Sequence, residues 1–407
     1  MRAIAAALLC AWPAADASSQ ERTVAIRGAE IRTISGAVIP HGVVIWRGGK
    51  IVGVGAADRV TIPTGADVLD GAGLLVTPGF IDARATLGVT TSGVIDARTI
   101  VAAAPTDGWE ASRPLVPGLR IIESFQLPRG HEWLREGVTT IYVTPGPENP
   151  LGGLGAVVKL AGSVNGTIVR EDAGLSASLG EVPRAAFAAQ GPTSRMGEVF
   201  RIREALVQAG EHGVSRAGPA PVRDLGVEGL TAVLERRIPL RVHANAAADI
   251  LTALRLGREL NIRVVIDVGA AAHTVAAELA AAGTPVVVGP TIVGGSTRQE
   301  LEQQRPDNAA ILHRAGVKVA LATDDAGGRS VVLEAALARA HGLPEEAALR
   351  AITLDAAEIL GVADRLGSIE VGKDADLVLW KGNPLSTWGR TEMVVVGGVT
   401  VFRREAR

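Results

Sequence analysis

Residues 239–268 read PLRVHANAAADILTALRLGRELNIRVVIDV, and that stretch decides the architecture. Pro239-Leu240-Arg241-Val242-His243 is a short apolar strand. Ala247 to Leu260 follows at helical spacing, and Arg263-Val264-Val265-Ile266-Asp267 is a strand again. The unit then repeats: a helix through Val275 to Leu279, a strand at Pro285-Val286-Val287-Val288, a helix around Ala309 to His313, and a strand from Val317 to Leu321. Strands that are apolar throughout are buried on both faces, as in a parallel sheet covered by helices. Enough such units in a row predict the α/β class, with a (β/α)8 TIM-type barrel rather than an open doubly wound sheet. Gly152-Gly153-Leu154-Gly155 lacks the spacing and context of a dinucleotide fingerprint.

Outward from this core, both ends of the chain turn β-rich. Gly42 to Trp46 and Lys50 to Val54 are strands joined by Arg47-Gly48-Gly49, a hairpin turn. Ala375 to Trp380, Met393 to Val396 and Val399 to Phe402 have the same character. The expected organisation is a small β-sandwich domain formed from both termini, residues 24–76 and 367–403, beside a barrel spanning 77–366. Residues 1–17 are expected to be a signal peptide: Arg2, an apolar run from Ala3 to Trp12, and Ala15-Asp16-Ala17 as the cleavage pattern. That run is about half the ~20 residues of a membrane span, so the expectation is a cleaved leader, no membrane span, and a periplasmic or secreted protein. The single cysteine, Cys10, lies in this run after Leu9, where a lipoprotein site wants a small residue. Without it the mature chain has neither disulfides nor thiolate ligands.

Composition narrows the function classes. Lys and Arg number 41 against 43 Asp and Glu, a net charge of −2, so no global field favours nucleic acid. Six Trp, five Phe and one Tyr among 407 residues are too few for an aromatic-lined carbohydrate cleft. The expected partner is a small molecule, with a homo-oligomer as a further expectation.

In such a barrel, chemistry sits at the C-terminal ends of the strands. Leu74-Leu75-Val76 reads as a strand running into Thr77-Pro78-Gly79-Phe80-Ile81-Asp82-Ala83-Arg84, and the later strands end at His243, Asp267 and Thr323-Asp324-Asp325. His243 and Asp324 are the strongly chemical pair of the second half. Asp82 and Asp267 lie near the rim, where aspartates bind cations or accept backbone hydrogen bonds. Asp325, beside Asp324 on a strand, points to the opposite face. His273 is placed in a helix N-terminal turn, and His41, His131, His212, His313 and His341 in structural or exposed positions.

With those residues in view, the chain resembles the amidohydrolase superfamily, the branch of imidazolonepropionases and prolidase-like amidases. The resemblance rests on Pro78-Gly79-Phe80-Ile81-Asp82-Ala83, Gly137-Val138-Thr139-Thr140, the His243 and Asp324 strand ends, Leu354 to Gly361, and Gly367-Ser368-Ile369-Glu370-Val371-Gly372-Lys373-Asp374-Ala375-Asp376-Leu377-Val378. It implies a metal-dependent hydrolase of non-peptide or dipeptide-like C–N bonds. His243 and Asp324 would be metal ligands and catalytic residues, Asp324 also serving as general base. The departures are as informative. Where the family carries His-x-His this chain has Arg84, Ala85 and Thr86, and Val268 stands at a third histidine position. Two ligands fall short of the three of a catalytic zinc site, so the implied divalent metal, zinc, is weakly bound or absent. Arg84 is expected to pair with Asp324 and put fixed positive charge where the ion would sit. Arg84, Lys159, beside the barrel mouth, and Arg298, after Gly294-Gly295-Ser296-Thr297, are expected to contact substrate. Three readings stay open: a weakened metal hydrolase, a catalytically impaired relative that binds a small molecule or partners an active homologue, and metal-free hydrolysis by Asp324 and His243.

Overall fold

The computed structural model describes residues 22–89, 107–127, 132–162, 166–214, 223–291, 298–324 and 330–405. The expected signal peptide, His131, Asp325, Gly294 to Thr297 and all of 90–106 lie outside the described residues. Among the described residues, no helix is long and apolar enough to cross a membrane.

The chain enters through β1 (Val24–Ile31), β2 (Ile39–Arg47), β3 (Lys50–Ala56), β4 (Asp67–Asp70) and β5 (Leu75–Pro78). Gly48 and Gly49, at φ 57° and 78°, supply the left-handed turn between β2 and β3 that a two-residue hairpin needs. The barrel strands follow: β6 (Phe80–Ala85), β7 (Val138–Val143), β8 (Leu151–Lys159), β9 (Ile168–Ser178), β10 (Leu240–Ala244), β11 (Val264–Val268), β12 (Val286–Val288) and β13 (Val319–Leu321). The chain returns to the first sheet through β14 (Leu377–Lys381), β15 (Arg390–Val396) and β16 (Val399–Arg403).

The terminal strands form one eight-stranded sheet in the order β16-β15-β14-β5-β1-β2-β3, with β4 on β1. Its two arms share a core of Ile26, Val44, Trp46, Val76, Leu377 and Val395. The Trp46 indole closes the arms by donating to the Gly398 carbonyl at 2.9 Å. Trp380, on β14, donates to Thr77 Oγ1 of β5 at 2.9 Å and stacks on Phe80 of the barrel at 5.3 Å, and that stack packs one unit against the other.

The second sheet runs in sequence order from β6 to β13, and backbone hydrogen bonding from Asp324 N to Arg84 O (3.1 Å) brings its last strand beside its first. From β9 to β13 every neighbour is parallel, and the strands are buried on both faces as their continuous apolar runs require. Odd and even positions divide the core. Leu240, Val242 and Ala244 face the surrounding helices, whereas Val157, Ala173, Val265, Val287 and Ala320 fill the barrel interior. The helix Ala247–Glu259 buries Ile250, Ala253 and Leu254 at i, i+3, i+4 spacing against that outer layer.

Two features depart from the sequence expectation. β8 is antiparallel to both β7 and β9, so the barrel is a (β/α)8 variant with one reversed strand. The first barrel strand is Phe80–Ala85 itself, while Leu75–Pro78 belongs to the terminal sheet, so Asp82 and Arg84 are strand residues rather than loop residues.

Candidate functional site

The C-terminal ends of β6, β10, β11 and β13 converge on a buried cluster of charges. Arg84, 1% exposed, donates from Nε to Asp324 Oδ1 at 2.5 Å and from Nη1 to Asp267 Oδ2 at 3.3 Å. The pair expected from the substituted motif therefore forms. Asp267 is held a second time: Arg241 donates to its Oδ2 from Nε at 3.0 Å and to its Oδ1 from Nη2 at 2.6 Å. Arg241 also donates to the Ala83 carbonyl at 2.9 Å, and its guanidinium lies 3.9 Å from the centre of the Tyr142 ring. Such planar, two-pronged and stacked contacts suit guanidinium and not ammonium.

Space inside the barrel is cleared for this arrangement. A Cβ on Gly174 would lie 2.7 Å from Arg241 Cδ, and one on Gly155 would lie 2.2 Å from the Tyr142 hydroxyl. Asp82 forms the third layer of the cluster. Its carboxylate accepts from Thr323 Oγ1 at 2.6 Å and from the amides of Thr323 and Arg84, each at 3.2 Å. Burial pushes the Asp82 carboxyl up to about 7 despite those bonds. Burial opposes the charge on Arg84, but Asp324 and Asp267 outweigh it and hold the guanidinium above its ordinary value.

His243 pairs in register with Asp267 across β10 and β11 and is 3% exposed. Burial, reinforced by the Arg84 charge, lowers its pKa and so disfavours the charged imidazolium. Its Nδ1 has no hydrogen-bond partner, and neither has Arg84 Nη2, Arg241 Nη1 or Ser178 Oγ. The backbone is strained at the same rim, with Val268 at φ 71° and Asp324 at φ 42°. For a β-branched residue the left-handed region is a genuine outlier, and such strain concentrates at functional sites.

Arg298 approaches the rim, with Nη1 3.4 Å from Glu300 Oε1, and Glu300 in turn receives Asn245 Nδ2 at 3.1 Å. Lys159 does not belong here. Because β8 runs backwards, its last residue lies at the opposite rim, opposite Thr140 near the start of β7. There Lys159 donates to Asp374 and Asp376 at 2.9 Å each, bridging the barrel to the terminal sheet. The expected substrate contact is thus an interdomain ion pair. Arg241, in contrast, was missed. Its signal was the alternation of β10, which puts it two residues before His243 on the inward face.

These residues do not fit a divalent metal. The Arg84 guanidinium engages Asp324, and Val268, beside Asp267, offers no donor. Among the described residues, no group of three or more His, Cys, Asp or Glu could hold an ion.

A barrel with inward-facing chemistry at its strand ends and a sheet built from both termini defines a hydrolase-type α/β barrel class. The chain belongs to the amidohydrolase family, whose model matches residues 134–401. It is 26% identical over 399 residues to the amidohydrolase tasK of Hapsidospora irregularis, covering 88% of this chain and 40% of that protein. It is 37% identical over 110 residues to an imidazolonepropionase of Brucella suis, covering 26% of each. The chain thus spans about two-fifths and about a quarter of these curated relatives. The crystal structure of an amidohydrolase from Thermotoga maritima superposes with a TM-score of 0.85 at 33% identity, covering 94% of this chain and all of the other.

Proposed function

We propose that this amidohydrolase-family chain binds a small carbonyl compound of the amide or lactam class at the barrel mouth without a divalent metal. One observation carries the reading: the residue at the first ligand position is a buried arginine bonded to the aspartate that would otherwise hold the ion. The charges of Arg84 and Arg241 are balanced by Asp324 and Asp267, which favours a neutral ligand over an anion. Arg84 Nη2 is left to donate to its carbonyl oxygen. The ligand class follows the family, whose members act on C–N bonds.

The test is metal analysis of the purified protein, with binding of lactams and N-acyl compounds followed by calorimetry. The reading expects zinc far below one per chain and binding unchanged by chelator. Near-stoichiometric zinc that disappears in His243→Ala would overturn it.

A second reading, hydrolysis without metal, is favoured by one observation: the buried His243 Nδ1, beside Arg84 and Asp324, has no hydrogen-bond partner. In that reading His243 takes a proton from the water whose oxygen bonds to the carbonyl carbon, and Arg84 stabilises the oxyanion. As the C–N bond breaks, the imidazolium returns the proton to the departing nitrogen. C–N hydrolysis that survives exhaustive chelation and is lost in His243→Gln would select it over binding alone.

A further inference from the structure

At the far end of the barrel, where the chain enters β10 to β13, a cleft of about 480 Å³ opens among Arg236, Arg258, Asn261, Arg263, Lys318 and Glu358. Lys318 pairs with Glu358, but among the described residues Arg236, Arg258 and Arg263 make no ion pair, nor does the neighbouring Arg170. Some arginines elsewhere have carboxylate partners, as in Arg203 with Glu259, Arg223 with Glu228 and Arg305 with Asp307. Others among the described residues, such as Arg47, Arg59 and Arg314, also form no ion pair. What sets this cleft apart is that three such arginines line it. The unpaired ones are also held together. Arg170 and Arg263 both donate to the Arg237 carbonyl, at 3.2 and 2.9 Å, and Arg236 donates to Asn261 Oδ1 at 3.1 Å. Burial and the charges of Arg170 and Arg236 lower the Arg263 pKa. Helix C-termini attract cations, which accounts for Arg258 in the last turn of Ala247–Glu259. It also accounts for Arg170 on β9, which donates to the Leu360 and Gly361 carbonyls at the end of the helix Leu354–Leu360. It does not account for Arg263, just ahead of β11, which is drawn with Arg170 to the Arg237 carbonyl.

Converging like charges cost free energy unless an anion joins them. We propose that this cleft is a second ligand site, remote from the mouth, for a small molecule carrying a phosphate or pyrophosphate group. Guanidinium geometry matches phosphate oxygens in two-pronged contacts, and the volume suits a small molecule rather than a bare ion. Lys318 and Arg258 flank the site, and its exposed rim leaves it open to solvent.

The experiment titrates the full chain with pyrophosphate, inorganic phosphate and sulfate at constant ionic strength, by calorimetry and thermal melting. The expected result is saturable binding, tightest for pyrophosphate. Arg263→Gln and Arg258→Gln, the latter on an exposed helix turn, should each weaken it about tenfold, the loss of one charge-assisted contact. Arg84→Met at the mouth should leave it unchanged. Absence of saturable binding, equal response to sulfate, or wild-type affinity in both variants would overturn the proposal.

Discussion

Removing the Arg84 guanidinium is the most direct trial of the charge network. With Nε and Oδ1 2.5 Å apart, the charge centres lie ~4 Å from each other, worth about 4 kcal/mol at an effective dielectric of ~20. Breaking a buried pair from one side costs about 3–5 kcal/mol. The Asp324 side chain keeps 18% exposure and Asp267 keeps both bonds from Arg241, so Arg84→Met is expected at the low end, about 3 kcal/mol. Asp324→Asn alone should cost only about 1–2 kcal/mol, because Arg84 retains Asp267. The double variant should be more stable than the sum of the two losses by at least about 2 kcal/mol, the signature of coupled partners. Urea unfolding at pH 7, followed by tryptophan fluorescence, measures all three. A loss below about 1 kcal/mol for Arg84→Met, or strict additivity, would refute the reasoning, because a solvated pair behaves that way.

Three further outcomes follow from the same geometry. Arg241→Lys should cost about 3 kcal/mol by urea unfolding, since ammonium cannot reproduce two bonds to Asp267 and a stack on Tyr142. Glu198, fully buried, with Arg184 3.8 Å from an Oε1 that accepts no hydrogen bond, is pushed by burial up to about 7 from 4.5. Between those values the folded chain keeps a proton the unfolded chain has lost, so stability falls as pH rises. Glu198→Gln should flatten that fall, by up to about 3 kcal/mol between pH 4.5 and 8 in urea midpoints. Lys159→Met should destabilise by about 3 kcal/mol through the buried Asp374 and Asp376, yet leave ligand affinity at the mouth unchanged in calorimetry.

The second half of the barrel could be read from sequence because its strands are short, apolar and separated by amphipathic helices. The expected strand at Arg263 to Asp267 is observed at Val264–Val268, and the helix expected from Ala247 is observed from that residue. β8 could not be oriented, since Leu151-Gly152-Gly153-Leu154-Gly155 lacks an apolar period and strand direction depends on distant partners. The first barrel strand was displaced because Asp82 and Arg84 interrupt the apolar signal of Phe80–Ala85. Charge compensation made the Arg84–Asp324 pair legible: an aspartate at a metal position that has lost its histidines needs another cation. That logic did not extend to Asp267, whose second arginine is recognised only when the alternation of β10 is followed inward from His243.

The double hold on Asp267 has a consequence for descent. Regaining an ion at the mouth would require histidines at positions 84, 86 and 268. The first of these changes removes the cation from Asp324 before any replacement can be bound. Every intermediate that loses Arg84 before another cation is in place therefore carries an unneutralised, largely buried carboxylate and a deficit of about 3 kcal/mol, a large share of a domain's total stability. Selection acting on folding would remove such intermediates, so Arg84, once paired with Asp324, resists replacement by a metal ligand. Lineages carrying Arg84 and Arg241 together are expected to diversify at the rim while keeping that pair.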